Sequence, residues 1–447
     1  MSNQRERILS FVPIETIPLP RPLNRFGTAF PMALADVYAN AYAPRRGVVL
    51  DPLAHPWSAA DAVESADRRG IAKSREPLGE WARAVVALAP SIDEVLASFE
   101  RVADSALVGT PHRVAMRELY ASHCATCHGP VVVEAFLWER DAPVPTKKAF
   151  RCGVCAREGR ALLIEPVDSD DEERTRRLEP RGMAYWQFVE RFGADPAAQA
   201  LGETVAALYT PRNITALMAT LRAIETSVGD AAAQGLLKLC LLESIVAGSR
   251  LNAVAGHGTP LRVDKGRARR GHALQTREVN IWLEYERTVR ELVTWLAQHE
   301  HRTPAARGAL LLDPGDADLV LCQAPVEDAL GGWSTVASAL LLGAKTLRPM
   351  DTGEGRLAAR ERLLRTLRAA LIEAHRVSRP EAAAVVYVPH ADAATIAACV
   401  LAGAGSGYRL RTILYQRDAH AGAYGSPAAA VCDFDRDVPL LRDQSAA

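Results

Sequence analysis

Short apolar runs and helix-period stripes alternate along this chain. Val48, Val49 and Leu50 lead into Asp51-Pro52, a run that reads as a buried parallel strand whose carboxyl end points an acid into a crevice. Residues 58–68 are alanine-rich and helix-competent, and a second short strand is predicted around residues 71–73, before Pro77. The pattern returns late in the chain. Residues 318–322, 384–388 and 408–415 read as strands, with helical stretches over 357–375 and near 393–402. Strands alternating with helices predict an open α/β sheet. Between the two halves, Ile214, Leu217, Met218, Leu221 and Ile224 share one helical face behind Thr210-Pro211, a cap and first turn. Ile281, Tyr285, Val289, Leu292 and Leu296 share another. Both stripes read as core. The mixed-charge residues 168–177 read as a solvated face or loop.

Composition narrows the class. The 447 residues are 49% hydrophobic and 24% charged, which argues against a disordered chain. Lys plus Arg and Asp plus Glu both number 53, so no global field draws the protein to nucleic acid, and any such contact needs a local patch. The first twenty residues lack an apolar core before a small-residue cleavage site, and the longest apolar stretch, 334–344, is too short to span a bilayer. The expectation is a soluble, cytoplasmic protein with no membrane partner.

In that compartment paired cysteines point to metal or redox chemistry. Cys240, Cys322, Cys399 and Cys432 are scattered in apolar or mixed runs and read as small core residues. The other four form Cys124-x-x-Cys127 and Cys152-x-x-Cys155, separated by a stretch containing VVVEAFLWE, which suits a ribbon strand. Two such knuckles let four thiolates close on one tetrahedral ion, so Cys124, Cys127, Cys152 and Cys155 are the expected ligands of a structural Zn²⁺. Cys124-Ala-Thr-Cys127-His128 also matches a haem-attachment pattern, but haem leaves the second knuckle unexplained. Lys147, Lys148 and Arg151 beside the knuckles are candidate phosphate contacts. Lys265, Arg267, Arg269 and Arg270, a cluster without acids, are further ones.

Taken in order, these features resemble the amino-methyltransferases that modify adenine N6 or cytosine N4 in DNA, in particular the zinc-ribbon-containing adenine-specific type. Residues 24–31, NRFGTAFP, look like the family's amino-terminal cofactor-contacting motif. VVLDPLAHPWS, ending at Ser58, looks like its VLDPFaGsGT strand and loop, and residues 318–326, DLVLCQAPV, sit where the family has DLVLTDPPY. Thr210-Pro-Arg-Asn213 and Asn280-Ile-Trp-Leu-Glu-Tyr285 resemble helical segments of the zinc-ribbon type, and residues 375–390 resemble its RVLKPGG-strand segment. The resemblance implies a Rossmann-like S-adenosylmethionine-dependent methyltransferase fold, an open and mostly parallel sheet, with an inserted zinc ribbon and a helical region. Residues 1–120 and 301–447 would be the two halves of that domain, 121–165 the ribbon and 166–300 the helical region.

It also implies a cofactor site at Asp51 and Pro52 and a catalytic loop at Gln323 and Pro325, and both depart from the family. No glycine remains between Leu53 and Ser58 to let a backbone approach the methyl donor. Serine stands near position 74, where an acid should hold the ribose. The loop offers Gln323, Ala324, Pro325 and Val326, with no ring to stack on a flipped base. The chain is therefore expected to be catalytically inactive, binding DNA, an active methyltransferase or another protein. Two alternatives stay open. One is an active DNA amino-methyltransferase using S-adenosylmethionine in a divergent pocket. The other is a protein-interaction module with a structural zinc.

Overall fold

The computed structural model describes residues 12, 14–15, 17–74, 76–107, 109–155, 161–252, 254, 261–264, 267–269, 274–299, 313, 315–325, 330, 332–346, 359–389, 392–416 and 429–436. The chain divides into one unit of residues 1–88, 299–329 and 356–447, and another of residues 89–298 and 330–355.

The first unit opens with α1 (Met32–Tyr42), β1 (Val48–Asp51), α2 (Ala59–Ala62), β2 (Arg69–Ala72) and α3 (Pro77–Ala87). The chain then builds most of the second unit. It begins with α4 (Ile92–Asp104), the small hairpin β3 (Ala106–Leu107) and β4 (Thr110–Pro111), and α5 (His112–Leu119). The strands β5 (Ala121–His123), β6 (Pro130–Glu139), β7 (Lys147–Phe150) and β8 (Leu163–Pro166) follow. Five helices come next: α6 (Ser169–Arg176), α7 (Met183–Glu190), α8 (Pro196–Ala206), α9 (Pro211–Ser227) and α10 (Ala231–Ala247). A second hairpin, β9 (Arg262–Asp264) and β10 (Arg267–Arg269), precedes β11 (Gln275–Val279) and α11 (Ile281–Gln298). After β12 (Ala317–Gln323) in the first unit and α12 (Trp333–Ala337) in the second, the first unit is completed. Its last elements are α13 (Ala359–Val377), β13 (Ser378–Val388), α14 (Ala393–Ala404), β14 (Tyr408–Gln416) and β15 (Ala429–Arg436).

Among the described residues the first unit holds one six-stranded sheet in the order β2-β1-β12-β13-β15-β14. β2, β1, β12 and β13 run parallel, and β15 lies antiparallel between β13 and β14. Parallel strands covered on both faces need continuous apolar sequence, and all seven residues of β12 are buried. One core cluster packs α1 on Val49, Leu319, Val385 and Val431, and a second gathers α13 and α14 around Val320, Val386 and Phe434. The chain leaves β1 toward β2 on one side and later places β12 on the other. The carboxyl ends of β1 and β12 therefore flank a topological switch point, where open sheets of this kind leave a crevice. The four dispersed cysteines are buried, as expected.

Residues 58–68 form only the one-turn α2 and a following 3₁₀ turn, so the helix expected there is short. α2 lies so close to β2 that a Cβ on Gly70 would sit 1.9 Å from the Ala60 carbonyl oxygen. β15 had no counterpart in the sequence reading, because its Asp433 and Asp435 interrupt the apolar run.

In the second unit β11-β6-β7-β8 form an antiparallel sheet, with β5 also on β6. The two apolar stripes became α9 and α11, and the Thr210 hydroxyl accepts from Asn213 N at 3.2 Å to cap α9. Of the two readings of residues 168–177, the solvated face holds and the loop does not: they form α6, capped by Asp168, with Asp171 as its buried residue.

Candidate functional site

Both CxxC pairs sit at strand ends of one sheet. Cys124 and Cys127 lie in the turn from β5 to β6, and Cys152 and Cys155 follow β7. His123 pairs with Pro130 and Phe150 pairs with Val133, so the two turns meet at one edge. Cys124 Sγ lies 3.7 Å from Cys155 Sγ and Cys127 Sγ 3.5 Å from Cys152 Sγ. All four sulfurs lie within 4.8 Å of one another, a donor set of metal-site size. Four sulfurs bound tetrahedrally at about 2.3 Å would be about 3.8 Å apart, so the spacing fits one ion.

The first turn is closed by backbone. His128 N donates to Cys124 O at 2.9 Å, Cys124 N donates to Gly129 O at 3.0 Å, and His128 takes a left-handed φ of 57°. In the second turn Cys155 N donates to Cys152 Sγ at 3.4 Å. That bond, with a second from Val154 N, lowers the Cys152 thiol to about 7, while the neighbouring sulfurs, Cys127 foremost, push the Cys155 thiol up to about 12. The apolar cluster around the sulfurs is small: Cys124, Val131, Phe150 and Cys152, with Cys127 and Leu163 against it.

The candidate phosphate contacts divide. Lys147 is exposed on β7. Arg151 gives its Nε to Glu134 at 2.7 Å. Lys148 is corrected outright. It is 1% exposed, and its Nζ donates to Ser122 Oγ, Asp168 Oδ2 and Asp171 Oδ2, each at 2.7 Å, leaving nothing for a phosphate. Burial pulls its pKa down, but the two carboxylates outweigh this and hold it raised. Lys265 and Arg270 lie outside the described residues. Arg267 and Arg269 fall on β10, and their side chains lie outside the described ones.

Asp51 ends β1 and turns inward. Its Oδ1 accepts from Leu53 N at 3.0 Å and its Oδ2 from Ala59 N at 3.1 Å. Burial raises its pKa to about 6 against the pull of those donors. Pro52 beside it is buried. Trp57 is 7% exposed, adopts a φ of +62°, and accepts from Phe30 N at 2.9 Å. The His55 ring lies 3.4 Å from where a Cβ on Gly27 would stand, and its Nδ1 donates to Pro56 O at 2.9 Å. Burial lowers the His55 pKa. Gln323, the last residue of β12, donates from Nε2 to Thr28 Oγ1 at 3.1 Å, and its Oε1 is buried without a partner. Phe30 meets the Tyr387 ring edge-on. Pro325 is half-buried, and Val326 lies outside the described residues. The NRFGTAFP segment, the loop after β1 and the end of β12 thus come together in the first unit.

Sequence reasoning missed a buried polar network that holds the cysteine-bearing strands. Glu278 on β11 accepts from Trp138 Nε1 and Thr210 Oγ1, both at 2.6 Å, and from Arg212 at 3.2 Å. The Arg212 guanidinium stands 4.1 Å over the Phe136 ring. Tyr120 OH donates to Asn213 Oδ1 at 2.7 Å, and Asn280 Nδ2 donates to Val133 O at 2.9 Å. The signal present in the sequence was the polar start of each apolar stripe, Thr210 read as a cap and Asn280 as part of a helical segment of the zinc-ribbon type.

Compared with family models, curated proteins and solved structures, the chain matches none. Among the described residues no helix is long and apolar enough to cross a membrane.

Proposed function

We propose that this chain is a zinc-binding, catalytically inactive relative of the zinc-ribbon DNA amino-methyltransferases, and that it acts by binding a partner. The observation that carries the reading is Trp57. In the resemblance VVLDPLAHPWS to VLDPFaGsGT, Trp57 stands at the second glycine, and its φ of +62° is the left-handed conformation that glycine adopts readily. A backbone bent as for glycine, filled by a buried indole, supports descent from a cofactor loop whose space is now taken by the chain itself. Asp51 fits the same account, since its oxygens are used by Leu53 and Ala59 backbone donors. The strand order, with its switch point beside Asp51, supports the Rossmann-like methyltransferase fold.

Four sulfurs at tetrahedral spacing favour zinc as the ion. Two apolar side chains are exposed near the cysteines: Val154 at the tip of the second knuckle is 79% exposed and Ile164 on β8 is 58% exposed. Lys148 is buried and Arg151 is paired with Glu134 at the surface, so the apolar exposure supports a protein partner, with the exposed Lys147 left as the basic contact DNA would need. Elemental analysis of the purified chain is expected to give one zinc, calorimetry no binding of S-adenosylmethionine, and a gel at low salt no shift of DNA. Micromolar cofactor affinity would overturn the inactive reading.

One observation favours the active alternative: the unpartnered Gln323 Oε1 is an acceptor available to a target amine. That reading requires labelled methyl transfer to DNA, abolished by Gln323→Ala.

A further inference from the structure

We infer that the metal centre governs the folding of the helices around it, so that metal occupancy switches α6, α9 and α11 together with the cysteine-bearing strands. The inference rests on the zinc reading of the four cysteines. The two knuckles join β5 to β6 and close the end of β7, while the apolar cluster beneath them is only a few side chains. Such a small core holds its turns poorly without an ion, and metal-binding free energy then becomes folding free energy.

Three buried links pass from these strands into helices. Lys148 on β7 ties Ser122 on β5 to Asp168, the cap of α6, and to Asp171 within α6. Trp138 on β6 meets Thr210, the cap of α9, and Arg212 in its first turn, through the shared Glu278 carboxylate. Asn280, directly before α11, takes its place from β6: its N donates to Glu134 O at 2.8 Å and its Nδ2 to Val133 O. Asp171, Arg212, Glu278 and Asn280 are all buried. If β5–β7 lose their register, Asp171 loses its buried counter-charge, Glu278 loses its Trp138 donor, and Asn280 loses both of its β6 acceptors. The helix starts cannot stay as they are while the strands melt.

The test uses the full chain in two steps. Zinc content is measured first, so that a chain without zinc fails the metal reading itself and is recognised as that failure. The zinc-loaded and chelator-stripped proteins are then compared by hydrogen exchange read on peptides. Stripping is expected to speed exchange in α6, α9 and α11 by about 100-fold or more, alongside β5–β7, with α1 and β12 little changed. Readdition of zinc is expected to restore protection. Cys155→Ser, at the exposed ligand, gives the same comparison without a chelator. Zinc-binding protein whose α9 and α11 keep full protection after stripping, while β5–β7 lose theirs, would overturn the inference.

Discussion

Replacing Lys148 with methionine separates a structural lysine from a phosphate-binding one. The ammonium is 1% exposed and makes three bonds of 2.7 Å, two of them to carboxylates. Methionine matches the stem but removes the charge. Asp171, whose side chain is 1% exposed, then loses its counter-charge in the interior, while Asp168, at 41%, turns to water. Leaving one buried partner of an ion pair uncompensated costs about 3–5 kcal/mol, a large part of the roughly 5–15 kcal/mol that stabilises a typical domain. Lys148→Met should therefore lower the urea midpoint of the transition seen by tryptophan fluorescence. The double variant Lys148→Met/Asp171→Leu, which removes both buried charges, should recover most of the loss. If Lys148→Met leaves the midpoint unchanged and instead weakens binding to DNA, the lysine contacts phosphate and the structural argument fails.

Trp57→Gly relieves a left-handed side chain, worth about 1–2 kcal/mol, but empties the volume of a buried indole, a loss of about 3–5 kcal/mol. The expected net is destabilisation by a few kcal/mol in thermal unfolding, and an unchanged or raised melting temperature would contradict the packing described. Asp51 gives a pH signature. Its folded pKa of about 6 lies above the ordinary 3.8, so across that window the folded state holds a proton the unfolded state has released. Stability should fall by up to about 3 kcal/mol as pH rises through it, then level off, and Asp51→Asn should flatten the slope. Gly70→Ala should destabilise the first unit because its Cβ meets backbone, the Ala60 carbonyl, which has no side-chain freedom to yield. Equal melting temperatures for this variant and the parent would contradict so close an approach of α2 to β2.

Much of the fold was legible because local signals and burial agree. Residues 48–50, 319–322 and 382–388 are continuous apolar runs, the sequence that strands covered on both faces use. The stripes of α9 and α11 carry their own period, and the cysteine spacing marked four ligands that the strands do bring together. The charged segment at 168–177 is a solvated helix face, but its charge carries no sign that Asp171 is buried against Lys148, a residue 23 positions away. β15 was hidden because Asp433 and Asp435 break its apolar pattern, and Arg411 from β14 answers both.

By itself the sequence determined the elements whose periodicity is local and the two CxxC pairs, whose spacing suits the donor set of one ion. Only the tertiary structure decided which charges are spent. Whether Lys148 faces solvent or two carboxylates and whether Gln323 meets Thr28 depend on partners far along the chain, while Asp51 is held by the nearby Leu53 and Ala59 once the chain turns at the end of β1. A hydrogen-bonding group carries no mark in sequence of where its counterpart lies, because that pairing is set by strand register and helix packing after the chain has folded.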